Sequence, residues 1–166
     1  MRAPSHTPYP ESAEELQSVS LFRRLVAMLY DTLITVALLM VTTGFYKMIQ
    51  AKILGTEKLK QLTEAGHFDT DPLLSSILFI VMFLFYGYFW TKSGQTLGMQ
   101  VWHIRIQTRE GYPVRWTQAL LRFFMAWVSA LCFGLGYLWI LVDKKKRAWH
   151  DHFSLSEVVR IPKRKK

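Results

Sequence analysis

The sequence predicts a small all-α membrane protein with a short antiparallel β-element on its cytoplasmic side. Three observations predict it. Three apolar runs, residues 25–45, 73–90 and 123–142, contain a single acid between them, Asp31. At about 1.5 Å of rise per residue, runs of roughly 20 apolar residues match the ~30 Å hydrocarbon core of a bilayer. Between the second and third runs, residues 101–108 alternate as a strand does, and residues 155–161 read as a further extended piece.

At 166 residues the chain allows one domain. Hydrophobic residues make up 51% of it and are gathered into runs rather than stripes. Core helices of a soluble domain this small carry polar faces, which these runs lack. The net charge of +9 raises nucleic acid as a partner. The positive-inside rule accounts for it more simply, because the basic residues flank the apolar runs, and no nucleic-acid partner is expected. The one cysteine, Cys132, lies in the third run and cannot form an intrachain disulfide.

Residues 1–19 are rich in Pro and Glu and read as a disordered arm. No cleavable signal peptide is expected, since the first apolar run is too long for an h-region. Ser18 or Ser20 is placed to cap the first helix, with Arg23 and Arg24 at the membrane surface. The loop 46–72 starts with an amphipathic helical stretch (Met48, Ile49, Ile53, Leu54, Leu59, Leu62) and ends in an acidic turn at Asp69, Asp71 and Pro72. Tyr86, Tyr88, Phe89 and Trp90 read as an aromatic belt closing the second run. Gly94-Gln-Thr-Leu-Gly98 opens a turn; residues 101–108 and 112–116 then form a predicted hairpin around Arg109-Glu110-Gly111. The membrane domain is expected over residues 20–161, and residues 162–166 form a basic tail.

Lys and Arg number three before residue 25, four in 46–72, five in 91–122 and nine after 142. Three full crossings would divide these 8 against 13 and favour an outside N-terminus. A two-stranded hairpin alone is marginal in water, and the C-terminal strand is its natural third member. If they pair, they share a side, and the bias becomes 17 against 4. The third run must then enter and leave on one face. Gly134 and Gly136 near its middle permit a helical hairpin, and a single straight helix stays open as the alternative. Arg23 and Arg24 beside the first run place the N-terminus inside either way, in the cell inner membrane.

The chain resembles the RDD family of small bacterial membrane proteins, named for one arginine and two aspartates. The resemblance rests on four motifs in order: Arg24 through Asp31; Gly94-Gln-Thr-Leu-Gly98 with Ile104-Arg105-Ile106 and Glu110-Gly111; Arg122; and Asp143 through Arg147 to His150-Asp151. It covers residues 20–160. It implies that the second aspartate is Asp151, with Asp143 as the other candidate. Some members of the family have been proposed to be cation/proton antiporters.

Two readings of the charged residues follow. In one, Asp31 binds a proton or cation in a polar crevice, Arg122 tunes it, and Thr32 and Thr35 are neighbouring ligands. In the other, Arg24, Asp31, Arg122 and Asp151 form a structural ion network between the helices and the sheet. Arg24 and Asp31, seven residues apart, share a helix face. Arg24 snorkels to the lipid surface, which leaves Arg122 as the closer partner of Asp31. His150 and His152 on an extended chain would point to one side, but nothing nearby completes a tetrahedral metal set. No metal, cofactor or enzymatic activity is expected. The tail residues Lys163, Arg164, Lys165 and Lys166 suit anionic headgroups. The function classes are therefore an oligomeric cation or proton translocator, and a non-transporting scaffold or accessory protein with a homo-oligomeric or membrane-protein partner.

Overall fold

The computed structural model describes residues 8–10, 16–64, 66 and 71–162; the basic tail 163–166 and most of the N-terminal arm lie outside the described residues. The described chain is mostly helical. In chain order it holds β1 (Gln17–Ser18), α1 (Leu21–Leu54), α2 (Thr56–Glu64), α3 (Pro72–Lys92), α4 (Leu97–Val101), β2 (Ile104–Thr108), α5 (Trp116–Leu131), α6 (Leu135–Leu138) with a 3₁₀ turn at Trp139–Leu141, α7 (Trp149–Phe153) and β3 (Ser156–Arg160). Two helices, α1 and α3, are long and apolar enough to cross a membrane, and α5 with the segment Leu135–Leu141 forms a third, broken candidate. Two compact units divide the chain, 1–31 with 85–166 and 32–84.

The first unit contains the sheet. Its order is β1-β3-β2, with both neighbours antiparallel to β3. Arg160 pairs with Gln17 on one side and Ile104 on the other, and Ser156 pairs with Thr108. The outer edge of β2 is covered as well: Ile106 N donates to Gly94 O at 2.7 Å, and the Gln95 amide donates to Ile104 O at 2.7 Å. Gly94 has φ +69°, and a Cβ there would meet Ile106 O at 2.5 Å, so this close approach requires glycine. Ile104 and Ile106, each 1% exposed, and Val158 and Val159 form the core beside the sheet.

Three expectations are corrected here. The hairpin does not form. Val101 ends α4, β2 begins only at Ile104, and Trp116 begins α5. Thr108 N still donates to Tyr112 O at 2.8 Å, so the turn closes. Pro113 has no N–H to extend a ladder, and Arg115 N instead donates to Gln118 Oε1 at 2.9 Å in the first turn of α5. The partner of β2 is β3 itself. The third strand is β1, so residues 17–19 of the expected arm are ordered, and Val19 is fully buried. Pro8–Pro10 are also held: Tyr9 N donates to Gly111 O, and the Arg105 guanidinium lies 3.7 Å from the Tyr9 ring centroid.

The third apolar run is broken where its glycines allowed. Gly134 has φ +76° and Phe133 has φ +54°, and the two helical pieces meet at 107°. Phe133 at the corner is 95% exposed, with Leu131, Leu141 and Val142 also exposed. The α5 helix, Trp116–Leu131, has 16 residues and rises about 24 Å, short of the ~30 Å bilayer core.

In the second unit, the helical stretch expected at the start of 46–72 is present, as the continuation of α1 through residues 46–54 and then as α2. At Asp71 the acidic turn caps α3: Oδ1 accepts from Leu73 N and Leu74 N at 3.1 Å, and Oδ2 accepts from the Tyr46 hydroxyl at 2.8 Å. Leu33, Val36, Met40 and Phe45 on α1, and Leu73 and Ile80 on α3, are exposed apolar residues, as a lipid-facing surface requires.

The shared sheet fixes a topological test. Single cysteines at Gln17, Glu110 and Pro162, in a Cys132→Ala background, should all react with an impermeant thiol reagent from one side of the membrane. Reaction of Glu110→Cys and Pro162→Cys from opposite sides would contradict the β2–β3 pairing.

Candidate functional site

Arg24, Ala27 and Asp31 lie along one buried stripe of α1, at i, i+3 and i+7. The two charged residues of this stripe meet different partners. Arg24 Nη1 donates to Asp151 Oδ2 at 2.6 Å, and its Nη2 donates to Lys146 O at 2.7 Å. It is 6% exposed, so it turns inward rather than snorkelling to lipid.

Asp151 sits in the first turn of α7 and is fully buried. Its second oxygen accepts from Arg122 Nη1 at 2.5 Å, and the Ala148 N–H caps Oδ2 at 2.9 Å. Arg122 reaches it from α5 and also donates to Ser156 Oγ at 2.8 Å. Ser154 Oγ lies 2.7 Å from Ser156 Oγ and donates to His150 O at 2.5 Å. One carboxylate therefore ties α1, α5, α7 and β3 together. Burial alone would raise its pKa, but Arg122 and Arg24 outweigh burial and hold it well below the usual carboxylate range. The Arg122 guanidinium lies 5.5 Å from the Trp90 ring, and Trp90 is buried rather than part of an interfacial belt.

Asp31 has other company. Thr96 Oγ1 donates to its Oδ2 at 2.5 Å, and Gly98 N donates to its Oδ1 at 2.8 Å. Thr96 is itself the N-cap of α4, accepting from Met99 N at 3.3 Å. A Cβ on Gly98 would strike Ala27 O and stand 2.9 Å from Asp31 Oδ1. The Gly94–Gly98 turn thus docks on the α1 stripe through a glycine and a threonine. This corrects the expected pairing of Arg122 with Asp31: the arginine's carboxylate is Asp151. Of the two expected threonine neighbours, Thr35 is buried and Thr32 is exposed.

Asp143 is peripheral. It accepts from Arg147 Nε at 3.1 Å and from Arg147 N at 2.9 Å, and Arg147 holds its pKa down to about 2. Of the two candidates for the second aspartate, Asp151 is the one that meets Arg24. The His150-Asp151-His152 segment is helical, not extended, so the two histidines diverge. His150 is buried 4.9 Å from the Tyr137 ring, and His152 Nε2 lies 3.7 Å from Asp143 Oδ1. Among the described residues no three His, Cys, Asp or Glu side chains group as metal ligands.

Sequence reasoning missed Thr96, Gly98 and Arg105. A carboxylate in the middle of an apolar helix needs donors, and the Thr-Leu-Gly turn supplied two that its use as a family motif had not assigned. Arg105 is buried on β2, beneath Tyr9, with Nη2 donating to Gln107 Oε1 at 3.1 Å.

The buried histidine gives the cluster a pH signature. Burial lowers the His150 pKa to about 3, and Arg122 and Arg24 add to the depression while Asp151 opposes it. An unfolded histidine takes a proton below pH ~6.5, which the folded chain refuses until pH about 3. Stability should therefore fall as the pH drops below ~6.5, by up to ~1.4 kcal/mol per unit. Asp151 adds no slope there, because its contribution is complete above the unfolded value of ~3.9. Thermal melts in detergent from pH 7 to 4.5 should show this slope, and His150→Gln should flatten it. An unchanged slope in the variant would place the titrating group elsewhere.

No curated protein and no solved structure matches the chain. The family model described as RDD family matches residues 18–154, a span that holds Arg24, Asp31, Arg122 and Asp151 together. With its two span-length apolar helices, the match points to a membrane-embedded protein. The chain belongs to the RDD family.

Proposed function

We propose that this protein is a non-transporting scaffold or accessory protein of the cell inner membrane, with its N-terminus and sheet in the cytoplasm. One observation carries the reading: the buried carboxylates are already satisfied by fixed protein donors. Asp151 accepts from two arginines and a backbone N–H, and Asp31 accepts from a hydroxyl and a backbone N–H. A transport carboxylate must release and rebind its ion in every cycle. Asp151 is bracketed by two guanidiniums, which repel any further cation and oppose protonation.

The sheet supports the topology. Its strands share one side, so the chain from 109 to 155 must return to the side it left. The bent third run, too short in each arm to cross, suits a re-entrant hairpin packed on protein. Two crossings, α1 and α3, then put four basic residues on one side and the rest on the other. The basic flanks hold anionic lipid, and a homo-oligomeric or membrane-protein partner covers part of the apolar exterior.

The second reading, an oligomeric cation or proton translocator, keeps one supporting observation. The two donors to Asp31 are neutral, so its carboxylate faces no fixed counter-charge from them. Flux in proteoliposomes separates the two. Wild-type protein should show no proton or monovalent-cation flux above that of empty liposomes under an imposed pH gradient. Flux that Asp31→Asn abolishes in a correctly folded protein would overturn the scaffold reading.

A further inference from the structure

The short helix α7, Trp149–Phe153, is built inside out. His150 and Asp151 are buried, as is Ser154 just after them. These polar side chains turn inward, where Asp151 meets Arg24 and Arg122. Phe153, by contrast, is 61% exposed, and Leu155 is 59% exposed. Trp149 and Phe153, four residues apart, share the outer face. A helix with water on its outside turns polar side chains out and apolar ones in. Here the order is reversed, so the outer face suits a medium in which aromatic rings are better placed than charges.

Leu155 is a second, independent observation. Its φ is +52°, in the left-handed region that a residue with a Cβ enters only against a steric cost. Glycine would make this turn without strain. The chain instead holds a leucine there, with its side chain outside the core. The outer face also continues an apolar surface. The Trp149 ring centroid lies 6.3 Å from that of Trp139, in the second arm of the broken third run. Leu141 and Val142, at the end of that run, are exposed, and so are Lys144, Lys145 and Lys146 directly after it. Paired tryptophans at the end of an apolar run, followed by cations, mark a membrane–water interface. His152, whose Nε2 lies 3.7 Å from Asp143 Oδ1, is partly exposed beside them and fits headgroup level rather than hydrocarbon.

We propose that residues 149–155 are a membrane-interface anchor, in which Trp149, Phe153 and Leu155 insert among the lipids of the leaflet on the sheet's side. Lipid, rather than a second copy of the chain, is the occupant. The face runs on from an apolar membrane segment and is flanked by cations that suit anionic headgroups. Two copies meeting through it would bring like residues together, Lys144–Lys146 of one against those of the other. The same short helix then meets lipid on one side and the Arg24–Asp151–Arg122 cluster on the other. The anchor thereby fixes the depth of that cluster and holds β3, which begins at Ser156, against the leaflet. The inference needs only a membrane-embedded chain and holds for a scaffold and a translocator alike.

The test is fluorescence depth measurement on full-length protein in nanodiscs of phosphatidylglycerol and phosphatidylcholine, with one protein per disc. Phe153→Cys and Leu155→Cys, each in a Cys132→Ala background, carry an environment-sensitive fluorophore. Glu110→Cys is the water control and Leu33→Cys the hydrocarbon control, since both side chains are exposed. Lipids with a nitroxide high or low on the acyl chain report depth, and iodide reports water. Labels at 153 and 155 should be shielded from iodide relative to Glu110 and quenched most by the high nitroxide. That places them about 5–10 Å into the headgroup–acyl boundary, shallower than Leu33. Leu155→Gly relieves the strained φ, so its melting temperature should equal or exceed that of the wild type, while the label at 153 becomes more open to iodide. Labels at 153 and 155 as open to iodide as Glu110, in protein that melts normally, would overturn the proposal. So would a depth equal to that of Leu33, or shielding found only with two copies per disc, which would assign the face to a second chain. A lower melting temperature in Leu155→Gly would show that Leu155 serves the fold, and would overturn it as well.

Discussion

A buried carboxylate between two buried guanidiniums is the constraint around which this fold is organised. Asp151 is fully buried, and Arg24 and Arg122 are 6% and 5% exposed. Desolvating three charges costs several kcal/mol per ion, and removing one member of such a set costs roughly 3–5 kcal/mol because the others are left uncompensated. The cluster forms only if α1, α5 and α7 arrive together, and Ser156 extends the same bonding into β3. It therefore specifies a geometry as much as it stabilises one. Apolar helices alone would slide past one another in lipid, where no hydrophobic driving force holds them in register.

Asp31 performs a smaller version of the same task with neutral donors. It closes the N-terminus of α4 through Thr96 and Gly98, and Gly98 lets the turn lie against Ala27. That turn in turn covers the free edge of β2 through Gly94 and Gln95. The stripe Arg24–Ala27–Asp31 is thus the spine of the first unit: one charged end organises the C-terminal helices, and the other organises the sheet's edge. Both contacts fall within residues 18–154, the span that the RDD family model matches.

Much of this was legible in the sequence because its cause is local. Apolar runs, the glycines that break the third one, the strand before Ile161 and the shared face of Arg24 and Asp31 all follow from composition and periodicity. What was misread depends on tertiary choice. Arg122 had two acids to choose between, and spacing along the chain does not say which one α7 brings within reach. The five-residue helix at His150-Asp151-His152 is too short to show a period. β1 has two residues and no pattern of its own; only the exposed edge of β3 makes it a strand. The hairpin expectation took 112–116 as an extended partner strand and overlooked that Pro113 lacks the N–H a ladder needs.

The most direct test of the central role of Asp151 is a pair of double-mutant cycles on stability in detergent. One combines Arg122→Leu with Asp151→Leu, the other Arg122→Leu with Asp31→Leu. Residues that share a network couple by roughly 0.5–3 kcal/mol, and distant ones add within ~0.5 kcal/mol. The account predicts strong coupling of Arg122 to Asp151 and near-additivity with Asp31. Additive losses for Arg122 and Asp151, with the coupling found at Asp31 instead, would contradict it.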